Sequence, residues 1–409
     1  MNTPSHDNRD TLPQGFLWAA VAAGIKSSGK PDLAVAHAPH GANAAAMFTK
    51  NQVVAAPVVI GRRHLAATRG RVSTVLVNAG NANCATGQAG IDACLTTCKA
   101  AAQTFHCIFD EVFPSSTGII GIPLPFNKIL TALPSLHASL GSTSAHAEAF
   151  ASAIMTTDTR MKVARAVIET ARGPITLFGT AKGAGMIHPQ LAGPPHATML
   201  AYLFTDAKAN SNHLNTLLAA AAEPSFNSIS IDGDTSTNDT VLLLASGATG
   251  IVLEPPVLTA FQDALSMLCA SLAHQIVDDG EGVSHVVRLE ISGARTTEDA
   301  RQIARAIAHS PLNKTAWSSA DPNWGRLLAA AGNAGVAFDP TRVTIHIGAQ
   351  PVFEYGVRSG SFDEHAAHAV MQQREYTIAL DLGQGSARCT LLTCDLTEEY
   401  VRINADYST

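Results

Sequence analysis

The sequence predicts a mixed α/β protein folded in two lobes, and three observations predict it. Its 409 residues exceed one ordinary domain and suit two. Both period-2 alternation of apolar residues and the i, i+3, i+4, i+7 spacing of helices occur along the chain. Hydrophobic residues make up 46% and charged residues 15%, enough apolar content to bury a large core and too little charge for a disordered chain. With 31 glycines, abundant alanine and only 5% aromatics, that core should be built from closely packed small side chains.

Near the N-terminus the apolar run Leu17 to Ile25 follows Gly15-Phe16 and stops at Lys26. It is too short to span a bilayer and lacks the basic segment that directly precedes a secretory signal, so a soluble cytoplasmic protein is expected. Ser73 to Val77 reads as a short buried strand feeding the turn-rich stretch Asn78-Ala-Gly-Asn-Ala-Asn83. Gly183 to His196 carries Pro189, Pro194, Pro195 and three glycines, which bars a continuous helix or central strand and predicts a surface loop or linker. The apolar run Met199 to Phe204 that follows suits a core strand or a helix. Thr297 with Glu298 and Asp299 opens a helix in which Ala300, Ile303, Ala304 and Ile307 share one face, ending near Ser310-Pro311. Val343, Ile345 and Ile347 alternate as a strand, as do Tyr376, Ile378, Leu380 and Leu382. Gly383-Gln-Gly385 reads as a hairpin turn into a strand through Thr390 to Cys394, and Ser292-Gly293 as a turn before the 297 helix.

A formal charge of −6 gives no reason to expect nucleic acid or a basic membrane-binding face, so the expected ligands are small molecules. Seven cysteines form no paired C-x-x-C framework. Cys94 and Cys98 could share a helix face, but two thiols do not close a zinc site, and reduced structural thiols are expected. Sixteen histidines, His37 and His40 among them, include no H-E-x-x-H pattern, so no metal is expected. Gly383-Gln-Gly385 lacks the following helix of a dinucleotide fingerprint.

Thr198 is the residue with a chemical reading of its own. A threonine hydroxyl is a weak nucleophile without a base beside it. If the chain were cut before Thr198, its freed α-amine would be that base, held in place by covalent geometry. By itself the residue reads more simply as a helix N-cap or the start of a strand.

The wider sequence shifts that reading. Lys182-Gly-Ala-Gly-Met-Ile-His-Pro189, then Ala197-Thr-Met-Leu-Ala-Tyr-Leu-Phe-Thr-Asp-Ala207, resembles the signature of the ornithine acetyltransferase (glutamate N-acetyltransferase) family. So do Gly15 to Asp32, Asn78 to Asn83, Pro114-Ser-Ser-Thr-Gly-Ile-Ile-Gly121, Asp232-Gly-Asp-Thr-Ser-Thr-Asn-Asp239, Asp321-Pro-Asn-Trp-Gly-Arg326 and Tyr400 to Thr409, in the family's order. The resemblance implies an ornithine-acetyltransferase-like α/β fold of two lobes with mixed sheets and helices. It implies self-cleavage at Ala197-Thr198 into two interleaved chains, 1–197 (α) and 198–409 (β), assembled as a heterotetramer of two copies of each. Thr198 would carry the acetyl group from N2-acetylornithine to glutamate in arginine biosynthesis. Thr117 and Gly118 match the family's oxyanion pair. Lys182, Glu281, Asn404 and Thr409 match its substrate contacts, as does either Thr156 or Thr157. Acetyl-CoA is admitted as a second acetyl donor, with no other cofactor.

Two departures stand out. Gly193-Pro-Pro-His196 lengthens the loop before Thr198 by about five residues, which the fold should tolerate because loop closure costs only about 0.6 kcal/mol per doubling. Gly282-Val-Ser-His285 stands where the family more often has Ala-Thr-Lys after the glycine. Two other functions remain in view: an N-terminal-nucleophile hydrolase of amides or small peptides, and an uncleaved non-catalytic paralogue.

Overall fold

The computed structural model describes residues 11–189 and 199–406. The first lobe holds an eight-stranded sheet: β1 (Leu17–Val21), β2 (Leu33–Phe48), β3 (Arg71–Asn81), β4 (Val112–Ile119), β5 (Lys162–Thr170), β6 (Gly173–Lys182), β7 (Leu200–Thr205) and β8 (Thr240–Ala245). Its order is β4-β3-β2-β8-β7-β6-β5, with β1 also on β2. The second lobe holds six strands: β9 (Val286–Ala294), β10 (Thr344–Ile347), β11 (Gln350–Glu354), β12 (Val357–Arg358), β13 (Glu375–Asp381) and β14 (Ala387–Cys394), ordered β12-β11-β10-β13-β9-β14. The helices are α1 (Ala56–Ala67), α2 (Gly87–Thr104), α3 (Phe126–Ala138), α4 (Ser144–Ala153), α5 (Ser211–Ala222), α6 (Val257–Asp278), α7 (Thr297–Ala308), α8 (Pro311–Ser318), α9 (Trp324–Gly332), α10 (Glu364–Met371) and α11 (Glu398–Asp406). The architecture is the two-lobed mixed α/β arrangement that the sequence predicts.

The apolar run from Met199 to Phe204 enters a strand, β7 (Leu200–Thr205), not a helix. A strand buried on both faces reads as one apolar run because each face receives alternate residues. Ala201 and Leu203 face α5 and α6, whereas Leu200, Tyr202 and Phe204 face β1 and α4. There Trp18 and Phe204 meet edge to face at 5.6 Å, and Phe178 stacks on Phe204 at 6.0 Å. The alanines of β2, among them Ala34, Ala36 and Ala44, share this core, small side chains accommodating large rings. β7 and β8 follow position 198 in the chain, yet they are inner strands of the sheet whose other strands all precede it.

The second lobe buries its strands against α7 and α9. Helix α7 begins as predicted: Thr296 caps it, its side chain accepting from the Asp299 N–H at 3.0 Å. Ala300, Ile303, Ala304 and Ile307 are buried, and the chain breaks after Ala308 before Ser310 caps α8.

Four local expectations need correction. The strand starting near Ser73 runs on to Asn81, because β4 pairs with it through Gly80 and Asn81. β13 and β14 do not form a hairpin, and Ser292-Gly293 is no turn: β9 runs through both residues and lies between the two strands, parallel to β13 and antiparallel to β14. The short connection crosses the end of β9, where Leu382 N–H and Gln384 N–H donate to the Ser292 and Gly293 carbonyls. Strands either side of a third lie about 10 Å apart, a gap five residues bridge as readily as they form a turn. Finally, the described part of the 183–196 segment is irregular but not a surface loop. Ile187 and His188 are buried, and Asp232 accepts from the N–H groups of Met186 and Ile187 at 2.6 and 2.9 Å.

Candidate functional site

Segments far apart in sequence meet in a cleft of about 220 Å³. Thr117 and Gly118, Thr156 and Thr157, Lys182, Glu281 and Asn404 all line it, together with Asp232, Asp234 and Tyr400. The first seven are residues the sequence singles out. Ala197, Thr198 and Thr409 lie outside the described residues.

Thr117 and Gly118 sit at the end of β4. The amide of Asn238 holds this end in place, donating to the carbonyls of Ala82 at 2.6 Å and Ser116 at 2.9 Å. Gly118 has φ +128°, and a Cβ there would lie 2.3 Å from the Gly80 carbonyl carbon. Only glycine fits that backbone. The Thr117 oxygen accepts from Lys182 Nζ at 3.2 Å, which leaves the hydroxyl proton free to donate into the cleft.

Lys182 is the last residue of β6, paired across to Leu200 at the start of β7. Burial lowers its pKa, and the carboxylates of Asp158 and Asp239 act in the opposite direction. Burial also works to raise Asp158, but the neighbouring Lys182 and Lys162 ammonium groups and the Gly183 N–H overcome it and hold the carboxyl at about 2. Asp239 is the reverse case. It is fully buried, neither carboxyl oxygen has a hydrogen-bond partner among the described residues, and burial pushes it well above the ordinary carboxylate range despite Lys182 nearby. Its neighbour Thr240 donates its N–H to the Met199 carbonyl at 2.7 Å, so the described start of β7 is fixed between Lys182 and Thr240.

The far wall is acidic. Glu281 follows α6, its N–H donating to the Ala184 carbonyl at 2.9 Å and its Oε2 accepting from Asn404 Nδ2 at 2.8 Å. A Cβ on Gly185 would lie 2.5 Å from Oε2, so that position stays bare to admit the carboxylate. Asn404 stands on α11, which brings it and Tyr400 to the cleft. Asp232 also accepts from the Tyr400 hydroxyl at 3.2 Å, tying that helix to the segment before position 198. Asp232, Asp234 and Tyr400 were not picked out singly by sequence reasoning, although each lies within a quoted motif. An ammonium with a free hydroxyl at one end and carboxylates at the other suits a small ligand carrying both charges.

The profile of the ArgJ family matches residues 17–409. The arginine biosynthesis bifunctional protein ArgJ of Methylococcus capsulatus is 43% identical over 97% of this chain and 95% of its own length. The protein of the same name from Thermus thermophilus is 45% identical over 97% of this chain and 99% of its own. A crystal structure of the arginine biosynthesis bifunctional protein ArgJ from Bacillus halodurans, 38% identical, covers 51% of this chain and 100% of that one, with a TM-score of 0.48.

Proposed function

This chain belongs to the ArgJ family, and on that footing we propose that it is an acetyltransferase of arginine biosynthesis moving acetyl from N2-acetylornithine to glutamate through Thr198. The observation that carries the reading is the convergence of Thr117, Gly118, Lys182 and Glu281 in one cleft, beside the start of the strand that follows Thr198.

In the precursor the Thr198 hydroxyl attacks the Ala197 carbonyl carbon and the Ala197–Thr198 C–N bond breaks. Water then hydrolyses the resulting ester, leaving chains 1–197 and 198–409 and a free α-amine on Thr198. In the mature enzyme that amine takes the hydroxyl proton as the oxygen attacks the acetyl carbon of N2-acetylornithine. The proton passes to the departing ornithine nitrogen. The glutamate amine next attacks the acetyl ester, releasing N-acetylglutamate and restoring the hydroxyl. Each tetrahedral intermediate places its negative oxygen between the Thr117 hydroxyl and the Gly118 N–H, and losing one such donor typically costs about 3–4 kcal/mol. Acetyl-CoA enters the same cycle as a second donor, its thiol being the leaving group. The two chains remain together as a cytoplasmic heterotetramer of two copies of each.

The test is the intact mass of purified wild type beside Thr198→Ala, followed by assays with N2-acetylornithine and glutamate, then acetyl-CoA. Two fragments in wild type, one full-length chain in the variant and glutamate-dependent turnover without net acetate support the proposal. Acetate release that ignores glutamate marks a hydrolase instead. Full-length chain in both samples refutes the free-amine mechanism and points to a non-catalytic paralogue.

A further inference from the structure

Three charged side chains lie buried behind the cleft: Asp158, Lys162 and Asp279, whose side chains are 0%, 0% and 4% exposed. Lys162 Nζ donates to Asp158 Oδ1 at 2.7 Å and to Asp279 Oδ2 at 2.5 Å. Burying two carboxylates around one ammonium is a poor way to gain stability, since well-packed apolar side chains of the same volume commonly do as well or better. The remaining lone pairs give the network another use. Asp158 Oδ1 also accepts from Gly183 N–H at 2.6 Å, and its Oδ2 from Thr156 N–H at 3.0 Å. Asp279 accepts from the Thr159 N–H at 3.1 Å and from the Thr159 hydroxyl. Thr156 lines the cleft, Gly183 follows Lys182, and Asp279 stands two residues before Glu281. One buried network thus anchors three separate walls.

Electrostatics gives Asp158 a second part to play. The charged groups around Lys182 are Asp158, Asp239 and Glu281, opposed by Lys162 and Lys26. Asp158 is the foremost of the three carboxyls, and burial raises Asp239 well above the ordinary carboxylate range. Without Asp158, Lys182 would lose the foremost of the carboxyls that favour its charged form.

We propose that Asp158, seated on Lys162 and Asp279, is a positioning residue of this cleft that fixes Thr156 and the Lys182–Gly183 backbone and sets a carboxylate charge near Lys182. This rests on the cleft being the acetyl-transfer site. The test uses Asp158→Asn and Asp279→Asn in the purified full-chain enzyme as expressed, with kcat and KM followed from neutral to alkaline pH. A misplacement of an ångström costs on the order of 100-fold, so kcat/KM of Asp158→Asn falls by about that factor. Losing the nearby opposite charge moves its alkaline limb about one pH unit lower. Asp279→Asn shows a smaller loss, mainly in KM, with the limb unmoved. Near-wild-type kcat/KM and an unmoved limb in Asp158→Asn overturn the proposal, as does an equal limb shift in both variants. Should Asp158→Asn not fold, Asp158→Glu decides: it keeps the charge but cannot keep both backbone bonds, so kcat falls while the limb stays, and an unchanged kcat overturns the idea. Lys182→Met separates this from the function itself, because full activity in that variant would remove the cleft as the reaction site.

Discussion

Replacing Gly118 by alanine tests the oxyanion assignment at one atom's cost. The added Cβ would lie 2.3 Å from the Gly80 carbonyl carbon and 2.6 Å from the Asn81 nitrogen, where ordinary contact begins near 3.4 Å. Both opposing atoms are backbone, inside a strand pair, so no side chain can rotate away. Relief requires the 117–118 turn or β3 to shift by about 1 Å, and φ +128° adds a strain of about 1–3 kcal/mol for any residue with a Cβ. A shift of that size at a catalytic donor lowers kcat by about 100- to 1,000-fold, the range seen when an oxyanion donor is lost. KM for N2-acetylornithine should change little, because the donor acts on the transition state. The assay is steady-state transfer to glutamate, with thermal unfolding and intact mass measured on the same sample to separate lost chemistry from lost folding or processing. A folded, processed Gly118→Ala enzyme with kcat within about threefold of wild type would refute the assignment, since that corresponds to well under 1 kcal/mol.

Two further expectations concern buried carboxyls. Asp239 has a folded pKa above its unfolded value, so its contribution to stability is present at low pH and is lost as pH rises toward the folded value. Asp239→Asn keeps the shape and removes that dependence, so it should gain on wild type in denaturant midpoint between pH 4 and neutrality; a loss there would mean the carboxylate is charged and stabilising. Asp158 has the opposite sign: its pKa falls from 3.8 to about 2 on folding, which is worth about 2.5 kcal/mol at neutral pH, at about 1.4 kcal/mol per unit. That contribution is complete above about pH 5 and lost as the pH falls through 2, so acid unfolding of Asp158→Asn should be shallower by this amount; equal slopes would exclude it.

Where a signal was local, the sequence was enough. The start of α7 at Thr297 and its apolar face are set by neighbours within a turn or two, whereas the unbroken apolar run of β7 marks burial on both faces but fits a strand and a helix alike. The cleft residues were found through motif resemblance, and their meeting in space is the structural gain. The β13–β14 connection misled because a turn and a short crossover use the same residues, and the choice lies with β9, some ninety residues earlier. Asp158, Lys162 and Asp239 could not be weighed at all. Their significance comes from burial and from partners on other strands, and isolated charges in a sequence look like solvated surface.

The position of β7 and β8 governs how this molecule can be taken apart. β8 covers one margin of β2 and β7 covers one margin of β6, so each stretch of chain shields hydrogen-bonding groups that the other would leave bare. Were the backbone opened anywhere between β6 and β7, neither piece could be prepared alone without exposing unpaired strand edges, the usual template for aggregation. Refolding from denaturant would also become a second-order process, its yield rising with concentration where an unbroken chain's would not. A protein built this way has a one-way history: it is assembled once as a single thread, and after a cut it retains its shape only by never letting go.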